Sequence, residues 1–221
     1  MYNIVKRIID ILISGTTLLI LSPVFIIIVF LLLITGEHEV FYFQKRIGLK
    51  NKYFDIWKFA TMLKNSMNMG TGSITLRNDP RVTAVGKFLR KSKLNEFPQI
   101  INVLKGDMSI VGPRPLVDKT FKAYTEDVQS RVYNSKPGIT GIGSIVFRDE
   151  EKLISDSGKD PHTFYVETIA PYKGALEMWY QDNKSTWVDI KLIFFTAWVI
   201  IFPKSNLFEK SFKDLPKRAI V

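Results

Sequence analysis

The stretch from Asp79 to Pro115 reads D-P-R-V-T-A-V-G-K-F-L-R-K-S-K-L-N-E-F-P-Q-I-I-N-V-L-K-G-D-M-S-I-V-G-P-R-P, and the rest of the chain is organised around it. It combines a basic helical segment, a polar turn, a second helical segment and a loop in which Arg114 stands between two prolines. Because proline fixes φ and a guanidinium suits bidentate contacts with phosphate, we expect Arg114 to face an anion. The stretch therefore predicts a site that holds a phosphorylated ligand against a carboxylate.

Two helices are predicted within this stretch. Thr83 can cap the first, over residues 84–91, because its hydroxyl can accept an unpaired backbone N–H. Outside its apolar face the segment is basic, with Lys87, Arg90, Lys91 and Lys93. Asn95 is the predicted N-cap of the second helix, with Glu96 in its first turn, and Gly106 can end it in a left-handed conformation. A helix N-terminus favours phosphate and an ionised carboxylate, so this start is a candidate binding point.

Each of these residues has a plainer explanation when taken alone. An asparagine such as Asn95 is more often a cap than a catalytic residue, and Glu96 fits ordinary first-turn electrostatics. A basic helix face is usually just solvated. Their combination with an apolar N-terminus and further Arg and Lys residues favours a functional site.

Composition points to an anionic partner. The chain has 221 residues, with 31 Lys and Arg against 21 Asp and Glu, and a formal net charge of +10. Such a balance suits phosphates, nucleic acid or an acidic membrane face. The absence of cysteine excludes disulfides, thiolate catalysis and a Cys-based metal site, and the two histidines exclude a His-rich one.

The N-terminal segment favours the membrane over nucleic acid. Residues 11–36 carry no charge, and as a helix they would be about 39 Å long, against a hydrocarbon core of about 30 Å. A signal-peptide cleavage site is not evident. Pro23 follows Ser22 near the middle and predicts a kink, so the helix either crosses the bilayer or dips in and returns. Basic residues flank both ends, which favours the re-entrant form with both ends cytoplasmic.

Several further elements follow from local patterns. Aromatic and β-branched residues around a turn predict a small β-hairpin within Phe41–Phe59, either at the lipid interface or over the core, with Lys58 facing a phosphate or solvent. Asp189 to Pro203 predicts a helix that lies in the membrane interface or in the core. The segment from Asn65 to Arg81 predicts a loop without P-loop spacing. The basic tail from Lys204 is expected to be poorly ordered.

The segment between the Gly-Pro-Arg-Pro loop and the last helix is less regular. We expect helix over about residues 117–133, a short strand over Ser144–Phe147 followed by Arg148, and one or two helices over Phe164–Asp182. Glu177 lies among aromatic residues in the last of these. If it is buried, it needs a partner such as Arg, Lys or a metal, and if it is exposed it needs none.

These residues together resemble the bacterial sugar transferases, the monotopic phosphoglycosyl transferases that start glycan assembly on a polyprenol carrier. The resemblance covers nearly the whole chain as an ordered set of short blocks. The blocks include K-R-I-I-D at 6–10, Q-K-R-I-G at 44–48, K-F-A-T-M at 58–62, D-P-R-V-T-A-V-G at 79–86, L-N-E-F-P-Q at 94–99, V-G-P-R-P at 111–115 and P-G-I-T-G at 137–141.

The resemblance implies a transferase and a fold. Such enzymes move a sugar 1-phosphate from a UDP-sugar to undecaprenyl phosphate, release UMP and use Mg²⁺, in bacterial surface-glycan and exopolysaccharide biosynthesis. The implied fold is α+β and helix-rich, with a re-entrant membrane helix broken at Ser22-Pro23, a small β-hairpin and interfacial amphipathic helices. We expect residues 1–36 to be membrane-inserted and residues 37–221 to form the catalytic domain on the cytoplasmic face of the plasma membrane.

Site residues follow from combining the resemblance with the chemistry. Glu96 and Asn95 are the candidate catalytic residues, and Glu96 and Glu177 the candidate Mg²⁺ ligands. The candidate phosphate contacts are Lys58, Arg90, Arg114 and Arg148. Both substrates are anionic, so cations and a metal are needed to bring them together. Membrane lipids are expected partners, nucleic acid is not, and a homo-oligomer stays open.

The sequence departs from the family at decisive places. The usual pattern is Asp-Glu, with Asp as the nucleophile, whereas this chain has Asn95-Glu96, and a neutral amide is a poor nucleophile. Glu177 stands where the family usually has Asp, and residues 141–148 also differ from the usual stretch.

Three interpretations of Asn95 follow. Glu96 takes over as nucleophile or metal ligand, or the lipid phosphate attacks the UDP-sugar directly while Glu96 and Glu177 hold Mg²⁺. The third is a catalytically silent membrane scaffold or regulator. The retained phosphate-binding residues favour an enzyme.

Overall fold

Helices dominate the chain in the computed structural model, which describes residues 1–69, 79–212 and 214–217. The helices are α1 Tyr2–Ile34, α2 Ala84–Lys91, α3 Gln99–Lys105, α4 Asp118–Phe121, α5 Glu126–Arg131, α6 Ile142–Val146, α7 Glu150–Asp156, α8 Pro161–Phe164, α9 Ala170–Asn183, α10 Thr186–Ile201 and α11 Leu207–Ser211. The strands are β1 Phe41–Ile47, β2 Tyr53–Phe59, β3 Ser109–Val111 and β4 Gly138–Thr140. The helix-rich fold with a small two-stranded sheet is as predicted.

Helix α1 is the membrane segment indicated by the sequence. It is helical from Tyr2 to Ile34 with Pro23 inside it. Within the described residues it is the helix that is long and apolar enough to cross a bilayer, judged by length and composition. Its apolar side chains are largely exposed, for example Leu19 at 77% and Ile26 at 67%. Such a surface is stable only against lipid or another apolar partner, which gives the chain its membrane association.

Both halves of α1 nevertheless contact the globular part. Before Pro23, Ile13 and Leu18 pack against the main hydrophobic core. After Pro23, Ile28 and Leu32 are buried in a second cluster with Phe59 and Leu89. The helix therefore lies along one body on both sides of its proline.

The start of α1 is attached mainly through backbone groups of the globular part. Arg7 donates to Val103 O at 2.6 Å and Leu104 O at 2.7 Å, Lys6 donates to Val111 O at 2.8 Å, and Asp10 accepts from Ile110 N at 2.9 Å. Lys6 also pairs with the buried carboxylate of Asp189 at 2.7 Å. These contacts fix α1 against the C-terminal end of α3 and along β3.

Strands β1 and β2 form the predicted antiparallel hairpin, closed by a 3₁₀ turn at Leu49–Asn51. In its register Tyr42 pairs with Lys58 and Arg46 with Phe54. Because side chains alternate across a strand, Tyr42, Gln44, Arg46 and Lys58 project from one face. Phe41, Phe43 and Trp57 form ring contacts on the other.

The helices of the Asp79–Pro115 stretch differ in one important detail from the prediction. Helix α2 has the predicted bounds, and the Thr83 hydroxyl accepts from Gly86 N at 3.0 Å. Asn95, however, is not an N-cap: Leu94–Glu96 form a 3₁₀ turn, and α3 begins later with Pro98 at its N-cap. Lys93, in a left-handed conformation with φ of 60°, ends the helical path before that turn. Gly106 ends α3 with φ of 94°, as predicted.

Two predictions on the C-terminal half are wrong. The expected strand at Ser144–Phe147 is helix α6, because short β-branched runs do not separate strand from helix. The described part of the tail after Lys204 is ordered: it forms α11, Phe208 and Phe212 are buried in the core, and the ring of Phe212 packs against Trp179 of α9 and Phe195 of α10. Residues 117–133 form two short helices, α4 and α5, rather than one. Within the loop predicted from Asn65 to Arg81, residues 70–78 lie outside the described part.

The parallel pair β3–β4 connects the Gly-Pro-Arg-Pro loop to the C-terminal half. Val111 at the end of β3 pairs with Thr140, and Gly112 N donates to Thr140 O at 2.9 Å. Helix α9 begins at Ala170, so Pro171 falls in its first turn, where proline is tolerated, and not between two helices as expected. Helix α10 buries Leu192, Phe195 and Val199 and exposes Trp187, Ile190, Phe194, Ile200 and Ile201. It therefore contacts the core with one face and presents an apolar face outward.

Candidate active site

An ion cluster lies where the hairpin, the 3₁₀ turn and the Gly-Pro-Arg-Pro loop meet. Lys58 Nζ donates to Glu96 Oε1 at 3.0 Å, and Arg114 Nη2 donates to the same oxygen at 3.0 Å. No hydrogen bond from the described residues reaches Glu96 Oε2. The fold thus brings together three of the predicted site residues, from three separate segments, with one carboxylate oxygen left for other contacts.

The charges of this cluster determine its protonation. Burial alone would raise the pKa of Glu96, but the positive charges of Arg114 and Lys58 hold that pKa well below its usual value. Burial lowers the pKa of Lys58 to about 8, although Glu96 opposes the shift. The Glu96 charge raises the pKa of Arg114. At neutral pH the cluster therefore holds one ionised carboxylate between two cations.

Arg46 is a fourth member that the sequence analysis missed. It lies on the same hairpin face as Lys58, and burial and the charge of Arg114 lower its pKa to about 10. Its guanidinium donates to Pro115 O at 3.2 Å and Gln44 Oε1 at 2.5 Å, while its Nε is buried with no hydrogen-bond partner. The alternation of side chains along the predicted hairpin was the signal that could have found it.

Asn95 lies beside this cluster in the wall of an open cavity of about 120 Å³. The cavity is also lined by Arg46, Lys58 and Arg90, and by the segment after β2. Asn95 is only 8% exposed, and its Oδ1 is buried with no hydrogen-bond partner among the described residues. The cavity therefore presents Arg46, Lys58 and Arg90 together with the Lys64–Glu39 ion pair to one space, an excess of cations that suits an anionic ligand.

Arg90 and Arg148 have different surroundings. Arg90 lines the cavity, and its Nη2 lies 4.0 Å from Glu151 Oε1. Arg148 is not brought to the cluster: its guanidinium donates to Val199 O and, at 3.4 Å, to Pro203 O, at the C-terminal end of α10. It also pairs with Asp149 at 3.2 Å. This geometry offers Arg148 as a cap for α10 and gives no support to a phosphate contact.

Glu177 is buried in α9 at 2% exposure, and neither carboxylate oxygen makes a hydrogen bond of normal geometry to the described residues. Burial raises its pKa to about 7, against the opposing charge of Lys173 and the backbone N–H and charge of Arg114. Lys173 itself pairs with Glu150 at 2.5 Å. Arg114 thus connects two acidic groups: it bonds to Glu96 and acts electrostatically on Glu177.

The family follows from the sequence match. The sequence model described as bacterial sugar transferase matches residues 1–203. The chain belongs to the bacterial sugar transferase family. Its match extends from the apolar α1 through the last residues of α10.

Among the relatives of this sugar transferase is the undecaprenyl-phosphate galactose phosphotransferase of Salmonella typhimurium, 34% identical over 89% of this chain and 40% of that protein. The UDP-glucose:undecaprenyl-phosphate glucose-1-phosphate transferase of Klebsiella pneumoniae is 34% identical over 90% of this chain and 41% of that protein. The exopolysaccharide production protein ExoY of Sinorhizobium fredii is 35% identical over 72% of this chain and 76% of that protein. The chain spans about two fifths of the length of the first two.

The acidic residues of this sugar transferase offer a limited metal site. Among the described residues no group of three or more His, Cys, Asp or Glu side chains lies close enough to hold an ion. Mg²⁺ is often held by one or two carboxylates together with substrate phosphates and waters. Glu177, with unpartnered oxygens, and the second oxygen of Glu96 fit that requirement.

Proposed function

We propose that this chain is an initiating phosphoglycosyl transferase, which moves a sugar 1-phosphate from a UDP-sugar to undecaprenyl phosphate and releases UMP. The observation that carries the proposal is the Lys58–Glu96–Arg114 cluster beside a cationic cavity, in a chain with an exposed apolar helix. Two anionic substrates, one of them a lipid, need such a combination. Family membership and the names of the relatives support the same reaction.

In the proposed step the lipid phosphate oxygen forms a bond to the β-phosphorus of the UDP-sugar. The bond between that phosphorus and the bridging oxygen breaks, and its electron pair leaves with UMP. Lys58, Arg114 and Arg46 stabilise the charge of the diphosphate, and Arg90, which lines the same cavity, contacts phosphate. Asn95 provides an amide that can donate to a phosphate oxygen without adding negative charge.

We propose direct attack by the lipid phosphate rather than a covalent enzyme intermediate. Asn95 lacks a nucleophilic carboxylate. Glu96 is ionised but has a lowered pKa and shares one oxygen with two cations, which reduces its nucleophilicity. Its role in this scheme is to fix Lys58 and Arg114 in position.

Glu177 and Glu96 are the residues we propose for Mg²⁺. When bound, the ion would offset the negative charge that collects on the leaving UMP. Arg114 bonds to Glu96 and acts electrostatically on Glu177. The same arginine would therefore contact the substrate phosphate and lie beside both proposed ligands of the ion.

We further propose that α1 is re-entrant and that the domain from residue 37 lies on the cytoplasmic face of the plasma membrane. Support comes from the contacts of α1, because both of its halves pack against the globular part. A straight helix that crossed the bilayer would contact a globular part on one side of the membrane with only one of its halves. Pro23 supplies the expected bend point. The apolar outer face of α10 would lie in the same interface.

The decisive experiment measures UMP release in detergent or nanodiscs with Mg²⁺, undecaprenyl phosphate and a panel of UDP-sugars. Wild type, Asn95→Asp, Asn95→Ala and Glu96→Gln are compared, with exposed Glu126→Gln as the matched charge control. We expect UMP release by wild type and by Glu126→Gln. We expect loss of release in Glu96→Gln, because Lys58 and Arg114 lose the negative charge that they share. Release restored only by Asn95→Asp would instead indicate a silenced scaffold. No release from any variant, while a family member with Asp-Glu is active, would contradict the enzyme.

A second arm omits the lipid phosphate. Direct attack predicts no burst of UMP and no mass increase of the protein, since the acceptor is missing. A burst stoichiometric with enzyme, together with a phosphosugar adduct on Glu96, would overturn the direct route and leave the transferase assignment intact.

A further inference from the structure

Gly143 lies against the carboxylate of Glu177. A methyl group built at Gly143 would be 2.4 Å from Glu177 Oε1 and 3.2 Å from its Cδ. Other crowded glycines of the described chain, such as Gly112 and Gly141, approach backbone atoms instead. At Gly143 the missing side chain makes room for a titratable group of the candidate site.

Backbone conformation does not explain this glycine. Gly143 lies inside helix α6 and is not among the residues with positive φ. Alanine is the better helix former at such a position. Space for the Glu177 carboxylate is the requirement that remains, because a Cβ here would occupy the place of that carboxylate.

We propose that Gly143 is a positioning residue, which forms a slot that admits the longer side chain of a glutamate at 177 and fixes its carboxylate beside Arg114. An aspartate would end one carbon–carbon bond short of the slot. Glu177 is 2% exposed and its oxygens make no hydrogen bond of normal geometry to the described residues, so the walls of the slot and the nearby backbone N–H of Arg114 set where they lie. The consequence for turnover rests on the proposed function.

The test is a double-mutant cycle of Gly143→Ala and Glu177→Asp in the full-length chain. Gly143→Ala moves the carboxylate and Glu177→Asp withdraws it, and a displacement of about 1 Å can cost about 100-fold in rate. We expect each single change to lower UMP release on that scale, and Gly143→Ala to add little further loss in the Glu177→Asp background, since the added methyl fills the space that Asp leaves. The matched control is Gly174→Ala in α9, the helix that carries Glu177. A methyl group there would lie 3.5 Å from Tyr124 and Val128.

Thermal unfolding of the same variants without Mg²⁺ gives a readout independent of turnover. We expect the double variant to have a higher Tm than the sum of the single effects predicts. Additive Tm changes would overturn the proposal. So would a Gly143→Ala change that lowers UMP release by the same factor in the wild-type and the Glu177→Asp backgrounds. Coupled Tm values in a chain that releases no UMP would keep the slot and reject the proposed function.

Discussion

Glu96 shows how a single partly buried carboxylate can organise a site. Its two cationic partners come from a hairpin strand and from a proline-flanked loop, so the side chain joins three segments. The sequence predicted Lys58, Glu96 and Arg114 individually. It did not predict their pairing, because the distances depend on how the hairpin packs on the 3₁₀ turn.

Arg46 is expected to contact substrate phosphate. Arg46→Gln should lower kcat/KM for the UDP-sugar by about 10- to 100-fold, because it removes a buried cation with an unpartnered Nε. Arg46→Lys keeps the positive charge but not the forked guanidinium, so its kcat/KM should lie between those of wild type and Arg46→Gln. The control is Lys45→Gln on the opposite face of the same strand, and equal losses at both positions would contradict a local phosphate contact.

Glu177 predicts a pH dependence of stability. Its folded pKa of about 7 lies above the usual glutamate pKa of 4.5, so the folded state binds more protons between these values and loses stability as pH rises through that window. The full loss is about 3 kcal/mol. Urea unfolding of wild type and Glu177→Gln, without Mg²⁺, should show wild type losing stability relative to the variant between pH 5 and 7. A constant difference across that range would show that Glu177 does not titrate there.

At the scale of elements, local signals predicted structure well where they were complete. Thr83 with its basic helix, Gly106 and the hairpin each carry their own turn or cap chemistry. The Asn95 cap failed because Lys93 adopts a left-handed conformation, which costs about 1–2 kcal/mol for a non-glycine residue and which tertiary contacts must offset. The β3–β4 pairing joins segments distant in sequence and leaves little local pattern.

The attachment of α1 to β3 gives a prediction at this scale. Asp10 Oδ1 accepts from Ser109 Oγ and Ile110 N, both at 2.9 Å. Asp10→Ala leaves two buried donors unsatisfied and should destabilise the chain by about 2–4 kcal/mol, whereas Asp10→Asn, which keeps an acceptor, should cost less. Denaturant unfolding in detergent measures both. Exposed Asp156→Ala should change stability by less than about 0.5 kcal/mol, and an equal effect of all three changes would contradict the buried bond.

For the whole molecule, the apolar outer surfaces of α1 and α10 determine how the chain meets the membrane. Side chains on both helices are exposed although they are large and apolar, among them Leu19, Phe30, Phe194 and Ile201. The sequence left α10 open between interface and core. In the structure one face of α10 packs in the core and the other is exposed. The sequence alone does not divide the two faces, because both are apolar and the packing partners of the helix come from distant segments.

The proposed re-entrant path predicts that both ends of α1 lie on one side of the membrane. The chain has no cysteine, so single cysteines at Asn3, Glu37 and Asp156 can be labelled without background. An impermeant maleimide should label none of them in intact cells and all of them after permeabilisation. Labelling at Asn3 but not at Glu37 in intact cells would indicate a spanning helix.

The attachment of α1 also bears on how the sequence can change over evolution. Arg7, Lys6 and Asp10 bond to carbonyls and an amide of the main chain at Val103, Leu104, Val111 and Ile110. Every residue except proline offers the same two groups. The side chains at those four positions are therefore free to diverge, within the limits of packing, without releasing the helix, whereas the polar residues of α1 have no such freedom. Substitutions should therefore accumulate more readily at these four positions than at Lys6, Arg7 and Asp10, or at Ser109 and Asp189, whose side chains take part in the same attachment.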